Sequence, residues 1–99
     1  MGMVGIVATL KIVPGKEKDF EKLFAELRAS TLKNEPGVLM YDFYKSRSEP
    51  NTYVVMEQYK SQADLDAHGV AEHAKVFAPR FGGIMAAAPG VHIMDRCEQ

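Results

Sequence analysis

The change from strand to helix that decides the fold lies in residues 57–73, Glu-Gln-Tyr-Lys-Ser-Gln-Ala-Asp-Leu-Asp-Ala-His-Gly-Val-Ala-Glu-His. Ser61, followed three residues later by Asp64, predicts the start of a helix, because such side chains cap free backbone N–H groups. The same stretch contains His68 and His73. Histidine is the side chain that most readily exchanges a proton near neutral pH, so we expect proton-transfer chemistry here.

The spacing of these two histidines argues against a metal site on one helix. At about 100° per residue, His68 and His73 would lie about 140° apart on a continuous helix and could not face one ion. Gly69 is a candidate break, which would place the two rings at neighbouring helix ends around a shared cavity. We therefore predict no metal ligands and a cavity that both histidines line.

The sequence on the N-terminal side of this stretch predicts three strands and a helix. Residues 3–13 are β-branched and apolar and stop at a Pro-Gly turn, and residues 38–47 and 52–60 form two strands joined by a short hairpin connection. From Lys16 the apolar residues recur with the period of a helix, which Pro36 ends.

A second helical region is predicted from Ser61 to about Phe81, followed by a last strand at residues 91–96. The order β-α-β-β-α-β is that of the ferredoxin-like arrangement. We therefore expect a single α+β domain over residues 1–99, with one antiparallel sheet that carries both helices on one face.

The second face of this sheet also needs a cover. In residues 38–44 and 53–56 both alternating sets of side chains are largely apolar, whereas a sheet face open to water should be polar. Two helices cover only one face. The simplest prediction is a homodimer in which two sheets pair.

Composition excludes several classes of partner. The 99 residues include 12 basic and 13 acidic side chains, a net charge of -1 without a basic run, so nucleic acid and anionic membranes are not expected to bind. No apolar run approaches the roughly 20 residues of a membrane span. The single Cys97 cannot form an internal disulfide, which favours a reducing cytoplasm.

Five motifs resemble, in the same order, those of the antibiotic biosynthesis monooxygenase (ABM) family, which includes quinol monooxygenases. They extend over about residues 4–80, and the histidine pair is the most specific of them. The motifs are Pro14-Gly15-Lys16, Glu35-Pro36-Gly37, Tyr41, Glu57-x-Tyr59 and His68-x-x-x-x-His73.

The resemblance implies a dimeric α/β barrel of two ferredoxin-like subunits, each with a pocket between helices and sheet. It also implies a cofactor-free reaction with O2, in which a deprotonated phenol or hydroquinone itself donates an electron to oxygen. The protein then supplies a dry pocket, orientation and a base. Three alternatives stay open: an isomerase of a small sugar-derived signal, a non-catalytic ligand-binding or regulatory domain, and haem degradation. The last is disfavoured because the chain has no Trp.

The candidate site residues each have a structural alternative. His68 or His73 would be the general base, or else an ordinary helix-end or surface histidine. For Glu57, a structural ion pair or dimer contact is favoured over a role with substrate. The remaining candidates for substrate binding are aromatic or Met side chains that ordinary packing would also explain, namely Tyr59, Phe77, Phe81 and Met85.

Overall fold

The computed structural model describes residues 2–97 and confirms the predicted order of elements, with the second helical region divided into segments. The strands and helices, in chain order, are β1 (Val4–Lys11), α1 (Glu17–Asn34), β2 (Val38–Lys45), β3 (Thr52–Tyr59), α2 (Gln62–Gly69), α3 (Glu72–Phe77), a 3₁₀ helix (Ala78–Phe81) and β4 (Gly90–Asp95).

The four strands form one antiparallel sheet in the order β2-β3-β1-β4. This is the ferredoxin-like arrangement that the sequence predicts. Alternate residues of the central strand β1 are buried, because the helices pack on one face of the sheet only. The buried set is Val4, Ile6, Ala8 and Leu10.

Helix α1 supplies the other half of the core through the face that its period predicts. Its buried residues are Phe20, Leu23, Phe24, Leu27 and Thr31. The helix ends at Asn34, and the backbone N–H of Glu35 donates to the carbonyl of Thr31 at 2.9 Å. Since Pro36 follows, the chain leaves the helix with the Glu35 side chain at its C-terminal end.

The opposite face of the sheet carries exposed apolar side chains. Met56 lies opposite Val7 in the register and is 38% exposed, and Tyr44 lies opposite Val54 and is 56% exposed. Met94 of β4 points to the same side and is also exposed. A single chain leaves this face open, as the apolar pattern of β2 and β3 suggests. No helix within residues 2–97 has the length and apolar character to cross a membrane.

Candidate functional site

The two histidines lie on either side of a break between α2 and α3. Ser61 caps α2 as predicted: its hydroxyl accepts from the N–H of Asp64 at 3.3 Å and donates to that carboxylate at 2.8 Å. Helix α2 ends at Gly69, and Ala71 is extended before α3 begins at Glu72. The predicted break is confirmed. The chain passes through the extended Ala71 at this break, and Gly69 does not adopt a positive φ angle.

A carboxylate from a different element joins the two rings. His68 Nδ1 lies 2.9 Å from Oε1 and 3.1 Å from Oε2 of Glu35, and His73 Nε2 contacts Oε2 of the same group. The three side chains are only 17%, 15% and 11% exposed, for His68, His73 and Glu35 respectively. The end of α1 and the α2–α3 break therefore meet at one polar cluster.

Ser30 extends this cluster along α1. Its Oγ lies 2.9 Å from Nδ1 of His73. One turn later, the side-chain amide of Asn34 donates to the carbonyl of Ser30 at 2.9 Å. The result is a continuous hydrogen-bonded series from Ser30 through His73 and Glu35 to His68, which we call the His–Glu–His cluster.

Aromatic rings form the walls around His68. The centroids of Tyr41 and Tyr59 lie 5.4 Å and 5.5 Å from that of His68. Tyr41 in turn stacks on Phe24, with centroids 5.5 Å apart and planes 11° from parallel. Burial, reinforced by the nearby Glu57 and Glu35, raises the pKa of Tyr41, which stays a neutral phenol. The cluster thus lies beside an apolar wall.

Glu57 has a partner that the sequence did not indicate. The hydroxyl of Tyr59 donates to its carboxylate at 2.6 Å, where a Lys, an Arg or a ring N–H was the expected partner. Burial raises the pKa of the Glu57 carboxyl, while the hydrogen bond from Tyr59 and the nearby His68 oppose that shift. Burial and the bond to Glu57 raise the pKa of Tyr59, so its phenol remains a donor.

The predicted residues of the second helical region pack against the hydrophobic core and not in the polar cluster. Phe81 packs against Phe20 and Phe24, with centroids 6.2 Å and 6.4 Å apart, and Phe77 and Met85 also pack on the core. Phe20 of α1 and Glu35 at its C-cap are fifteen positions apart, about 22 Å at 1.5 Å per residue. The rings of Phe24 and Tyr41 connect Phe81 to His68, so these side chains border the same aromatic interior without joining the polar cluster.

Two open cavities differ in their relation to the cluster. One of about 340 Å³ is lined by residues 34–38 together with Asp64, Ala67 and Ala71, and therefore includes Glu35. The other, about 500 Å³, lies at the ends of β1, β3 and β4, and neither of these two cavities has a histidine in its lining. We associate chemistry with the smaller cavity, because Glu35, which contacts both histidines, is part of its lining. Within residues 2–97, no group of three or more His, Cys, Asp and Glu side chains could hold a metal ion.

Glu35, Ser30 and Tyr41 are site residues whose role the sequence did not reveal. The local sequence identifies Glu35 only as part of the segment that ends a helix before Pro36. Its place in the Glu-Pro-Gly motif was the one indication of a further role. Ser30 occurs in an ordinary helix pattern, and Tyr41 was noted as a family motif without any indication of its contact with His68. Their association with residues 68–73 arises from tertiary packing, for which periodicity gives no signal.

Comparison with known proteins identifies the family of this chain. The family model described as antibiotic biosynthesis monooxygenase matches residues 3–80, and the chain belongs to that family. The structure of a proposed antibiotic biosynthesis monooxygenase from Caulobacter crescentus CB15 is similar, with a TM-score of 0.94 and 41% identity over 98% of this chain and 92% of that one.

Two further relatives are more distant. YcnE of Bacillus subtilis, a proposed monooxygenase, is 27% identical over 86% of this chain and 88% of its own length. The Synechocystis protein sll1783, whose function is uncharacterised, is 24% identical over 94% of this chain, which spans 63% of that relative's length. The family, YcnE and the Caulobacter structure support a general monooxygenase-like function.

Proposed function

We propose that this protein is a cofactor-independent monooxygenase that oxidises a small electron-rich aromatic substrate, such as a quinol or phenol, with O2. The observation that carries the proposal is the pair of half-buried imidazoles on one carboxylate, next to aromatic walls. A general base within such a site supplies the proton transfer that the reaction needs.

The reaction requires little from the protein beyond a base and a dry cavity. Removal of a phenolic proton makes the ring electron-rich enough to transfer an electron to O2, and the two radicals then combine into a peroxide at a ring carbon. Loss of water from that peroxide breaks the O–O and C–H bonds and leaves one oxygen atom as a carbonyl. An apolar surrounding favours this sequence because it excludes bulk water from the intermediates.

Aromatic side chains support an aromatic substrate in particular. Tyr41 and Tyr59 lie next to the ring of His68, and Phe24 stacks on Tyr41. Stacked or edge-to-face ring pairs are favourable beyond their buried area. The volume of about 340 Å³ beside Glu35 is within the range of small-molecule sites. Glu57 and Tyr59 would orient a hydroxyl group of the substrate.

We also propose that the active form is a homodimer in which the open sheet faces pair. Exposed apolar side chains on that face, Met56, Tyr44 and Met94 among them, support this assembly. Obligate interfaces of this kind usually bury more than about 2,000 Å² in total.

Oxygen consumption by the purified protein tests the proposed function. With a panel of hydroquinones and monophenols, we expect stoichiometric uptake of O2 and product carrying one atom of ¹⁸O from labelled O2. Substrate turnover that continues without oxygen would instead favour an isomerase that uses the same base. Ligand binding without turnover in either atmosphere would favour a binding domain.

A further inference from the structure

We infer that Nε2 of His68 is the nitrogen that removes the substrate proton, whereas His73, Glu35 and Ser30 position that ring. This assignment rests on the proposed function, because it names the base of that reaction.

Hydrogen bonds occupy both ring nitrogens of His73. A neutral imidazole has one N–H donor and one acceptor nitrogen, and an ionised carboxylate only accepts. Nε2 of His73 therefore donates to Glu35, and Nδ1 accepts from the hydroxyl of Ser30 at 2.9 Å. This ring has no nitrogen left for a substrate.

His68 has one nitrogen engaged and one open. By the same reasoning its Nδ1 donates to the carboxylate of Glu35, at 2.9 Å and 3.1 Å from the two oxygens. Nε2 then carries the lone pair and has no hydrogen-bond partner within residues 2–97. In that part of the chain, the one buried side-chain N or O atom without a partner is Oγ1 of Thr31. Nε2 of His68 is therefore not fully buried and is open to a further hydrogen-bond partner.

The surroundings suit a base at this nitrogen. When Nε2 takes up a proton, the positive charge forms on a ring whose other nitrogen bonds to a carboxylate, which stabilises it. The bond to Glu35 also fixes the tautomer and the ring orientation. Ser30 fixes His73 in the same way, so that a second ring holds the shared carboxylate in place. Tyr41 and Tyr59 lie on the flanks of the reacting ring.

Nitrogen NMR of ¹⁵N-histidine-labelled protein tests this assignment without any substrate. At mildly alkaline pH, two-bond ¹⁵N–¹H spectra should show His68 protonated at Nδ1 and His73 protonated at Nε2, with His92 as the exposed reference. Ser30→Ala should change the signals of His73 far more than those of His68. A proton on Nε2 of His68, or on Nδ1 of His73, would overturn the assignment.

Kinetics with a substrate that the wild-type protein oxidises give the second test. His68→Gln should lower kcat by about 10²–10⁴-fold, the usual contribution of a general base, while His73→Gln should retain activity within roughly tenfold. Added imidazole should restore turnover to His68→Ala and not to His73→Ala, and His92→Gln is the matched control. An equal or larger loss in the His73 variants would refute the inference and leave the monooxygenase proposal standing. If the protein oxidises no tested substrate with O2 but the NMR tautomers are as assigned, the proposed function is refuted. The assignment of Nε2 of His68 as the open nitrogen then still holds.

Discussion

Ser30 and His73 are joined by a hydrogen bond of 2.9 Å although 43 positions separate them in the chain. The bond connects the last turns of α1 to the first turn of α3. It is one of the contacts that bring the break after α2 over the C-terminal end of α1, where Glu35 lies. The fold thus uses a small hydroxyl to fix the orientation of a half-buried ring.

Replacing Ser30 by Ala should destabilise the protein. Its effect on catalytic activity should be small. Loss of the hydroxyl leaves Nδ1 of His73 without its partner, which costs about 1–2 kcal/mol in a partly buried site. The free energy of unfolding, measured by urea denaturation, should therefore fall by about this amount. The control is Ser48→Ala in the exposed hairpin, which should change stability by less than about 0.5 kcal/mol. Equal effects at the two serines would contradict the importance of the bond.

Local sequence patterns predicted the elements of the fold and left the centre of the site incomplete. Ser61 and Asp64 predict the cap of α2, and the period of the apolar residues predicts the buried face of α1. Both signals depend only on residues within one or two helical turns. The meeting of Glu35 with His68 and His73 depends on where α1 ends relative to the α2–α3 break. No local pattern encodes that distance, so the sequence showed Glu35 only as part of a helix stop and of the Glu-Pro-Gly motif.

Gly37 and Asp64 show how closely the start of β2 approaches α2. A Cβ on Gly37 would lie 2.1 Å from Oδ1 and 2.6 Å from Cβ of Asp64. Gly37→Ala should therefore destabilise the fold by about 1–3 kcal/mol, as overpacking does. Gly69→Ala is the matched control: it meets nothing within 4 Å and should be neutral or stabilising by up to about 1 kcal/mol, since Ala is the better helix residue. Thermal unfolding of both variants provides the comparison.

Glu57 should make stability depend on pH in a defined direction. Burial raises the pKa of its carboxyl in the folded state, so the folded protein holds this proton more tightly than the unfolded chain does. The stabilisation is complete below the unfolded value and is lost as pH rises through the folded one. Glu57→Gln keeps an acceptor for Tyr59 and removes the buried charge.

We therefore expect Glu57→Gln to raise Tm at pH 7, with a gain that shrinks as pH falls through the carboxyl range. Glu49→Gln, in the exposed hairpin, serves as the control and should show little change. Scanning calorimetry at several pH values measures the difference. A variant that is less stable than wild type at pH 7 would show that the carboxylate of Glu57 is itself stabilising.

Substitutions of Thr31 can distinguish a structural role of its buried hydroxyl from a role in ligand binding. It is fully buried one turn before Glu35, and its Oγ1 has no hydrogen-bond partner within residues 2–97. If the hydroxyl has no function, Thr31→Val should be neutral or stabilise the protein by about 1 kcal/mol, because it removes an unsatisfied polar group. If the hydroxyl binds substrate, KM should rise while stability does not fall. Thr31→Ser, which keeps the hydroxyl, distinguishes the two outcomes.

The last prediction concerns the proposed dimer. Met56 lies on the open face of the sheet, opposite Val7, whereas Val76 is an exposed apolar residue of α3. A buried, unpaired carboxylate at an apolar interface is strongly unfavourable. Met56→Glu should therefore shift the protein from dimer to monomer in light scattering at micromolar concentration, while Val76→Glu leaves the mass unchanged. A wild-type chain that is folded and monomeric under these conditions would refute the pairing of sheets, as would a Met56→Glu variant that stays dimeric.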